Sequence, residues 1–206
     1  MINTVLGYKK AITQSFINGR RLSVTKIECK PATVTQIKTI EKDGYWAIQL
    51  GYGTKKLKNT TKPLQGHLKA SNITPRQIQE IRLESQPELN IGDKIGFDGI
   101  LNAGDLISVS AMSKGKGFAS GIKLHNFRGG PRTHGQSDRE RAPGSLGQTT
   151  TPGRVYKGKR MAARMGWNKV TVKNLKVVSV NPETFEVIVS GPIPGIVNSL
   201  VTIKKI

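Results

Sequence analysis

The sequence has almost no cysteine and few acidic residues. Cys29 is its one cysteine, and 33 lysine and arginine residues stand against 13 aspartate and glutamate residues. A lone cysteine can form neither an internal disulfide nor a cysteine cluster for zinc. It lies in an alternating run that suits a small buried side chain, so we expect it in the core. The net charge of +20 at pH 7 indicates a polyanionic partner.

Long hydrophobic runs are also missing. No segment approaches the roughly 18 consecutive apolar residues of a membrane-spanning helix, and no basic amphipathic stretch is long enough to anchor on a bilayer. Met1 to Tyr8 lacks the charged and apolar regions of a signal peptide, and no Arg/Ser-rich transit segment follows. We therefore expect nucleic acid as the polyanion, no membrane partner, and a protein that works in the compartment where it is made.

Short strand-like runs alternate with turn residues in the first half of the chain. Asn18-Gly19 supplies the positive φ angles of a two-residue hairpin, and Asp43-Gly44 separates a second pair of runs. Residues 55–72 read as a polar, basic excursion. Thr74-Pro75 with Gln77 could begin a short helix, but a strand remains equally open there. The predicted strands are residues 12–17, 22–27, 34–40 and 45–50.

Strand signals return later in the chain, at residues 94–97 and 105–112 and on both sides of a turn at residues 181–184. The last pair covers residues 170–180 and the alternating Phe185, Val187 and Val189. Many short strands at close spacing predict a mainly β fold, built as a barrel or a sandwich.

Residues 125–165 have a different composition. Phe127, Leu146 and Val155 are their only Leu, Ile, Val or Phe residues, and they contain seven glycines and three prolines. This segment contains nine lysines and arginines, and its only acidic residues are Asp138 and Glu140. Such a segment cannot form its own core and could be merely a solvated loop. A loop this long usually has a function, so we expect it to thread into folded RNA with its arginines on phosphates.

Two short helices are predicted beside this segment. Ser113 to Gly117 leads into residues 118–125, a short helix whose free N–H groups and flanking lysines would suit a phosphate. Residues 159–165 can form one or two helical turns that end at Gly166. That helix would place Arg160 and Arg164 on an outer face, with Met161 and Met165 turned inward.

Motifs for catalysis are incomplete. Gly153 to Lys159 has the spacing of a phosphate-binding loop, but Arg160 replaces the required Ser/Thr and no apolar strand precedes it. His134, Ser137 and Asp138 lie in a segment too flexible to hold a nucleophile and a base in register. The three histidines have no zinc-like spacing. We predict no enzymatic activity, no metal or other cofactor and no small-molecule substrate.

Several longer runs of the chain form a distinctive set. The densest are residues 113–119, 126–128, 133–135, 141–145 and 151–162, and Asp43-Gly44-Tyr45 and Ala47-Ile48-Gln49 add to them. Through these runs the chain resembles one family over essentially its whole length, the bacterial-type large-subunit ribosomal protein L three. Two departures are Ala11-Ile12-Thr13, where many relatives have Gly-Met-Thr, and Thr150, which cannot carry the glutamine methylation of some relatives.

The resemblance implies a structural, RNA-binding component of the large ribosomal subunit. It would combine a translation-factor-like β-barrel body with a long, basic, largely irregular finger and short helices. The finger would approach the peptidyl transferase centre with its tip at Gln148, Thr149 and Thr150. The protein would bind the largest ribosomal RNA near its 3′ end, act early in subunit assembly and neighbour ribosomal proteins L fourteen and L nineteen. Because no transit segment is seen, the expected location is the ribosome of a bacterial cytoplasm, with a plastid ribosome as the second choice.

Two readings from other classes remain: a nucleic-acid-processing enzyme that uses His134 and Asp138, and a general architectural nucleic-acid-binding protein. We expect the body in residues 1–112 and 167–206, with the finger and its flanking helices in residues 113–166. The predicted RNA-binding residues are Lys114, Lys116, Lys123, His125, Arg128, Arg132, His134, Arg139, Arg141, Arg154, Lys157, Lys159, Arg160 and Arg164.

Overall fold

A computed structural model describes residues 2–17 and 19–206 of the chain. Within these residues, twelve strands outweigh three short α-helices, so the predicted mainly β fold is confirmed. The strands are β1 Thr4–Ile17, β2 Arg20–Glu28, β3 Ala32–Lys38, β4 Ala47–Tyr52, β5 Gln77–Arg82, β6 Lys94–Ile95, β7 Leu106–Met112, β8 Phe118–Ala119, β9 Ala163–Arg164, β10 Lys169–Asn181, β11 Glu186–Ser190 and β12 Leu200–Lys205. The helices are α1 Ile40–Asp43, α2 Lys62–His67 and α3 Gly121–His125, and a 3-10 turn spans Leu57–Asn59.

The chain divides into two units. One, called here the body, consists of residues 1–112 and 169–206, and the other, the insertion, consists of residues 113–168. Both ends of the insertion are fixed by neighbouring strands of the body, because Met112 of β7 pairs with Lys169 of β10. Within the described residues, no helix of either unit is long and apolar enough to cross a membrane.

The body contains a closed barrel in the order β1-β12-β7-β10-β11-β2. Its core follows from the two-residue period of a strand, which sends alternate side chains to opposite faces. On β7, for example, Ile107, Val109 and Ala111 are buried while Leu106 and Met112 are exposed. Val187 and Val189 on β11 and Val201 and Ile203 on β12 complete the same core.

A second sheet of the body has the order β5-β4-β3-β6. Strand β1 serves both layers, because Val5 faces the barrel core and Leu6 packs into the core of the second sheet. Gly7 allows β2 to approach, since a Cβ there would lie 2.6 Å from Cγ2 of Ile27. Cys29 is buried in the barrel core as predicted, and burial raises the pKa of its thiol to about 12.

Most predicted strands are present, with shifted ends. Strand β1 begins at Thr4, eight residues before the predicted start, and its pairing with β2 slips between Lys9 and Ile12. The predicted hairpin turn includes Asn18, which lies outside the described residues; Ile17 pairs with Arg20 across it. Strand β6 ends at Ile95, two residues before the predicted end, and Phe97 beyond it packs into the barrel core.

Three connections differ from a simple reading of the sequence. The turn around Asp43-Gly44 contains α1, which Gly44 ends in a left-handed conformation at φ 80°. The predicted polar excursion contains α2, with Pro63 in its first turn, and the following Leu68 is buried. After Thr74-Pro75, where the sequence allowed a helix or a strand, the chain forms strand β5. Its residues Gln77–Arg82 pair with β4 along the whole length of that strand.

Candidate nucleic-acid interface

The insertion begins and ends as two antiparallel segments held by backbone hydrogen bonds. The amide of Ser113 donates to the carbonyl of Asn168 at 2.8 Å. Farther along, the amide of Lys116 donates to the Met165 carbonyl at 2.9 Å, and the amide of Met165 donates to the Gly117 carbonyl at 2.8 Å. Strands β8 and β9 continue this pairing. These contacts form a short ladder, residues 113–119 against residues 163–168.

The ladder overturns the helix predicted over residues 159–165. Ala163 and Arg164 are extended and pair with Ala119 and Phe118, so their backbone groups bond across the ladder and not along a helix. Met161 is exposed, which also contradicts the inward methionine face. Local helix propensity is a weak preference, and pairing with a distant segment outweighs it here.

The helix predicted over residues 118–125 forms only in its second half. Phe118 and Ala119 belong to β8, Ser120 is extended, and α3 starts at Gly121. Asn126 ends the helix in a left-handed conformation at φ 59°. The helix is therefore a single turn or little more, too short to form an anion site at its N-terminus.

A second close approach shapes the middle of the insertion. Gly129 has φ 73°, and a Cβ at this residue would collide with the carbonyl oxygen of Glu140. The neighbouring Gly130 amide donates to the same carbonyl at 3.0 Å. The side chain of Glu140 forms an ion pair with Arg132, in which Oε1 of Glu140 lies 2.9 Å from Nε of Arg132. Residues 130–140 are thereby closed into a loop that only glycine permits.

Positive charge in the insertion is largely uncompensated. Its 56 residues, all of them described, contain twelve lysines and arginines and only Asp138 and Glu140 as acids. Arg132–Glu140 is the one ion pair within this range. The remaining cations repel one another and are available to an anionic ligand, and many phosphates in sequence would satisfy them best.

Four of the predicted RNA-binding side chains come together. Arg128, Arg139, Lys159 and Arg160 line a single cleft, although up to 32 residues separate them in sequence. Charge counting along the sequence could not indicate this grouping, because it depends on the close approach of Gly129 and Gly130 to residues 139–140.

Other predicted side chains are held individually. Nη2 of Arg141 donates to Oγ of Ser120 at 2.8 Å, and Nε2 of His125 lies 3.0 Å from the Met161 carbonyl oxygen. The guanidinium of Arg154 stands 5.7 Å from the centre of the Tyr156 ring. Lys114, Lys116, Lys123, Arg132, His134, Lys157 and Arg164 are exposed side chains outside the cleft, as are Gln148, Thr149 and Thr150 at the predicted tip.

Apolar side chains of the insertion are mostly exposed. Within residues 113–168, Ala119 is the single buried hydrophobic residue. Aromatic and long aliphatic side chains at the surface can stack against unpaired bases, as they do in many single-strand binders. The exposed ones here are Phe118, Leu146, Val155, Tyr156, Met161 and Trp167.

The side chains considered for catalysis do not form a catalytic cluster. Oγ of Ser137 donates to Oδ1 of the adjacent Asp138 at 3.5 Å, a marginal distance, and among the described residues His134 hydrogen-bonds to neither. The described part of the chain also contains no group of three or more His, Cys, Asp or Glu residues arranged to hold a metal ion.

Sequence reasoning missed the partners that position the charges. Tyr156 lies against Arg154, Ser120 holds Arg141, and Phe127 packs beside Gly121. One signal was available in the sequence, because apolar residues are few in this segment and each could mark a contact. Phe127 and Leu146, two of the three such residues in positions 125–165, both line the cleft.

Comparisons with known proteins agree with one another. A family model described as Ribosomal protein L3 matches residues 77–190. The chain is 49% identical over 206 residues to large ribosomal subunit protein uL3 of Herpetosiphon aurantiacus, which covers 100% of this chain and 97% of that protein. The uL3 protein of Thermomicrobium roseum is 49% identical over 205 residues, covering 99% and 94% of the two chains. That of Acaryochloris marina is 46% identical over 202 residues, covering 97% and 94%.

Proposed function

The chain belongs to the ribosomal protein L3 family, and we infer from this that it is a structural, non-enzymatic protein of the large ribosomal subunit that binds ribosomal RNA. The resemblance read from the sequence is thus confirmed at the level of the family. The relatives named above come from bacteria, which supports the ribosome of a bacterial cytoplasm as the location.

One observation carries the RNA-binding part of this proposal: the insertion concentrates cations that its own acids do not neutralise. Eleven of its twelve lysines and arginines are outside the Arg132–Glu140 ion pair, and no apolar core competes for their side chains. Arginine forks match phosphate oxygens in geometry as well as charge. A folded RNA would supply enough phosphates at once, which a single small anion could not.

The finer parts of the proposal rest on the family. We propose that the protein binds the largest ribosomal RNA near its 3′ end, supports early subunit assembly and lies beside ribosomal proteins L fourteen and L nineteen. Gln148, Thr149 and Thr150 would approach the peptidyl transferase centre. Their exposed, uncharged side chains support a role at a tip more than a role in affinity, since such residues neutralise no phosphate.

The experiment that tests RNA binding removes three arginines together, Arg139, Arg141 and Arg154, by substitution with alanine. Each lost phosphate contact lowers the log-log slope of affinity against salt by up to about 0.9, so the triple variant should lose about two to three units of slope. None of the three side chains is in a core, so the body should melt as in the unchanged protein. Filter binding of the full chain to large-subunit RNA at several salt concentrations measures this.

The matched control replaces the same three arginines by lysine, which keeps the charge and removes the fork. This variant should keep most of the salt slope while losing some affinity. An alanine variant with the slope of the unchanged protein would contradict a phosphate-binding role for these residues.

The tip is tested separately by Thr149→Trp and Thr150→Trp, with Thr133→Trp as the control at another exposed threonine of the insertion. We expect the tip variants to assemble normally and to alter peptidyl transfer rates or antibiotic sensitivity, while the control alters neither. Tip variants that chiefly block assembly would contradict this assignment.

A further inference from the structure

The insertion contains an open cleft of about 480 Å³. This volume lies within the range of about 300–1,000 Å³ that is usual for sites holding one small organic group. All of the residues that line the cleft belong to the insertion. The cleft is therefore complete within this unit.

One wall of the cleft is apolar. Phe127 lies against the backbone of Gly121, where a Cβ would come within 2.9 Å of the ring, so the position of the ring depends on this glycine. Pro143 and Leu146 add further apolar surface. Such a flat, fixed aromatic surface beside aliphatic groups suits a planar base, because bases stack on aromatic side chains with little dependence on sequence.

The charged part of the cleft has one sign only. Arg128, Arg139, Lys159 and Arg160 line it, and no acidic side chain does. Among the described residues none of these four side chains forms an ion pair. Four uncompensated cations around one cavity favour an anionic occupant, and they exceed the charge of a single phosphate.

Two backbone hydrogen bonds shape the cleft. The Gly130 amide donates to the carbonyl of Glu140 at 3.0 Å, and the Ala142 amide donates to the carbonyl of Arg139 at 3.2 Å. The first bond joins the two segments of the cleft, and the second closes a turn within one of them.

We propose that this cleft holds one unpaired nucleotide of the ribosomal RNA, with its base against Phe127 and Leu146 and the phosphates on either side of it among the four cations. The proposal deepens the RNA-binding function given above and rests on it. A continuous strand fits better than a free nucleotide, because a strand brings several phosphates to the four cations at once. A nucleotide within a duplex would keep its base stacked and out of reach of the apolar wall.

The test compares Leu146→Glu with Val155→Glu in large subunits that contain each variant as their sole copy of this protein. The two residues are 41% and 45% exposed, and only Leu146 lines the cleft. Each variant adds one negative charge to the insertion, so their general electrostatic effects match. Acylation of RNA 2′-hydroxyl groups, read by primer extension, measures the mobility of every nucleotide.

We expect Leu146→Glu to raise the reactivity of one unpaired nucleotide, with its immediate neighbours, several-fold over its value in the Val155→Glu subunits. Identical reactivity patterns would overturn the cleft proposal while leaving RNA binding intact, since both variants would still be present in the subunit. Failure of the unchanged protein to bind large-subunit RNA at all would instead overturn the proposed function. If Leu146→Glu does not assemble, Leu146→Ala against Val155→Ala gives the same comparison with smaller changes.

A second arm distinguishes the source of the nucleotide. The free full-length protein is titrated with adenosine 5′-monophosphate, and binding is followed by calorimetry. We expect no saturation at micromolar concentrations, because one phosphate leaves most of the cations unsatisfied. Micromolar binding that Leu146→Glu abolishes would overturn the proposal in favour of a free-nucleotide site.

Discussion

Glu80 illustrates how single side chains hold the second sheet of the body. Its carboxylate lies 2.7 Å from Nζ of Lys38 and accepts a hydrogen bond from the hydroxyl of Tyr45 at 2.8 Å. The guanidinium of Arg82 stands 4.4 Å from the centre of the Tyr45 ring. These partners lie on three different strand or turn segments, so the group ties β3 and β5 to Tyr45, two residues before β4 begins.

The pKa of Glu80 is lowered, first by its hydrogen bond with Lys38 and then by that with Tyr45. A lowered pKa in the folded state means that the carboxylate stabilises the fold fully above its unfolded pKa of about 4.3. That contribution is lost as the pH falls below this value and passes through the folded pKa. The stabilising effect of the Glu80 charge is therefore lost in acid and fully present at neutral pH.

We predict that Glu80→Gln lowers the melting temperature of the body at pH 7 by no more than about 4 °C, as befits a partly exposed ion pair. The difference from the unchanged protein should be smaller at pH 3 than at pH 7, because the contribution of the Glu80 charge is lost as the pH falls below about 4.3 toward the lowered pKa of the folded state. Glu84→Gln is the control, because Glu84 is exposed and has no ion pair among the described residues. A Glu80 effect that is equal at both pH values would contradict the role of its charge.

At the scale of elements, the strands followed from the sequence where their pattern and their turns agreed. The turn at residues 181–184 lies between β10 and β11 as predicted, because Asn181 pairs with Glu186 across it. The failure over residues 159–165 has a different cause. Those residues favour a helix locally, but residues 163–165 pair with residues 116–119, and this pairing makes them extended. Contacts between distant segments are not encoded in local propensity.

The backbone of the insertion should be protected unevenly in the free protein. Between residues 126 and 162 its hydrogen bonds are few and its apolar residues are exposed, so local opening should cost little. We predict that these amides exchange within seconds, whereas those of β7 and β12 in the barrel exchange many times more slowly. The amides of Lys116 and Met165 in the ladder should fall between them. Hydrogen exchange with mass spectrometry measures this, and strong protection throughout residues 126–162 would contradict it.

Gly166 should be required for the ladder. It has φ 79°, and a Cβ there would collide with the carbonyl oxygen of Lys114. Gly158 has nearly the same φ, 78°, but open space around it. The two Gly→Ala changes therefore share the strain of a positive φ, about 1–2 kcal/mol, and differ in the backbone collision.

We predict that Gly166→Ala abolishes the protection of the Lys116 and Met165 amides and that Gly158→Ala retains it. The barrel should melt unchanged in both variants. Equal protection of the two amides in both variants would show that the ladder tolerates the added methyl group.

At the scale of the whole molecule, charge is distributed unevenly along the chain. The insertion supplies about half of the net charge of +20 in about a quarter of the residues. By contrast, residues 84–105 contain five acidic residues and a single lysine. Composition therefore predicts a polyanionic partner, and it indicates the segment that we propose binds that partner. The grouping of four cations around one cleft was not predictable, because it depends on how Gly129 and Gly130 meet residues 139–140.

The central claim is that this chain is a protein of the large ribosomal subunit, and sedimentation tests it most directly. Extract from cells that express the tagged full-length chain is centrifuged through sucrose gradients at high Mg²⁺, where ribosomes are whole, and at low Mg²⁺, where the subunits separate. We predict that the chain sediments with whole ribosomes in the first gradient and with the large subunit alone in the second. A chain that stays at the top of both gradients, or follows the small subunit when Mg²⁺ is low, would contradict the account.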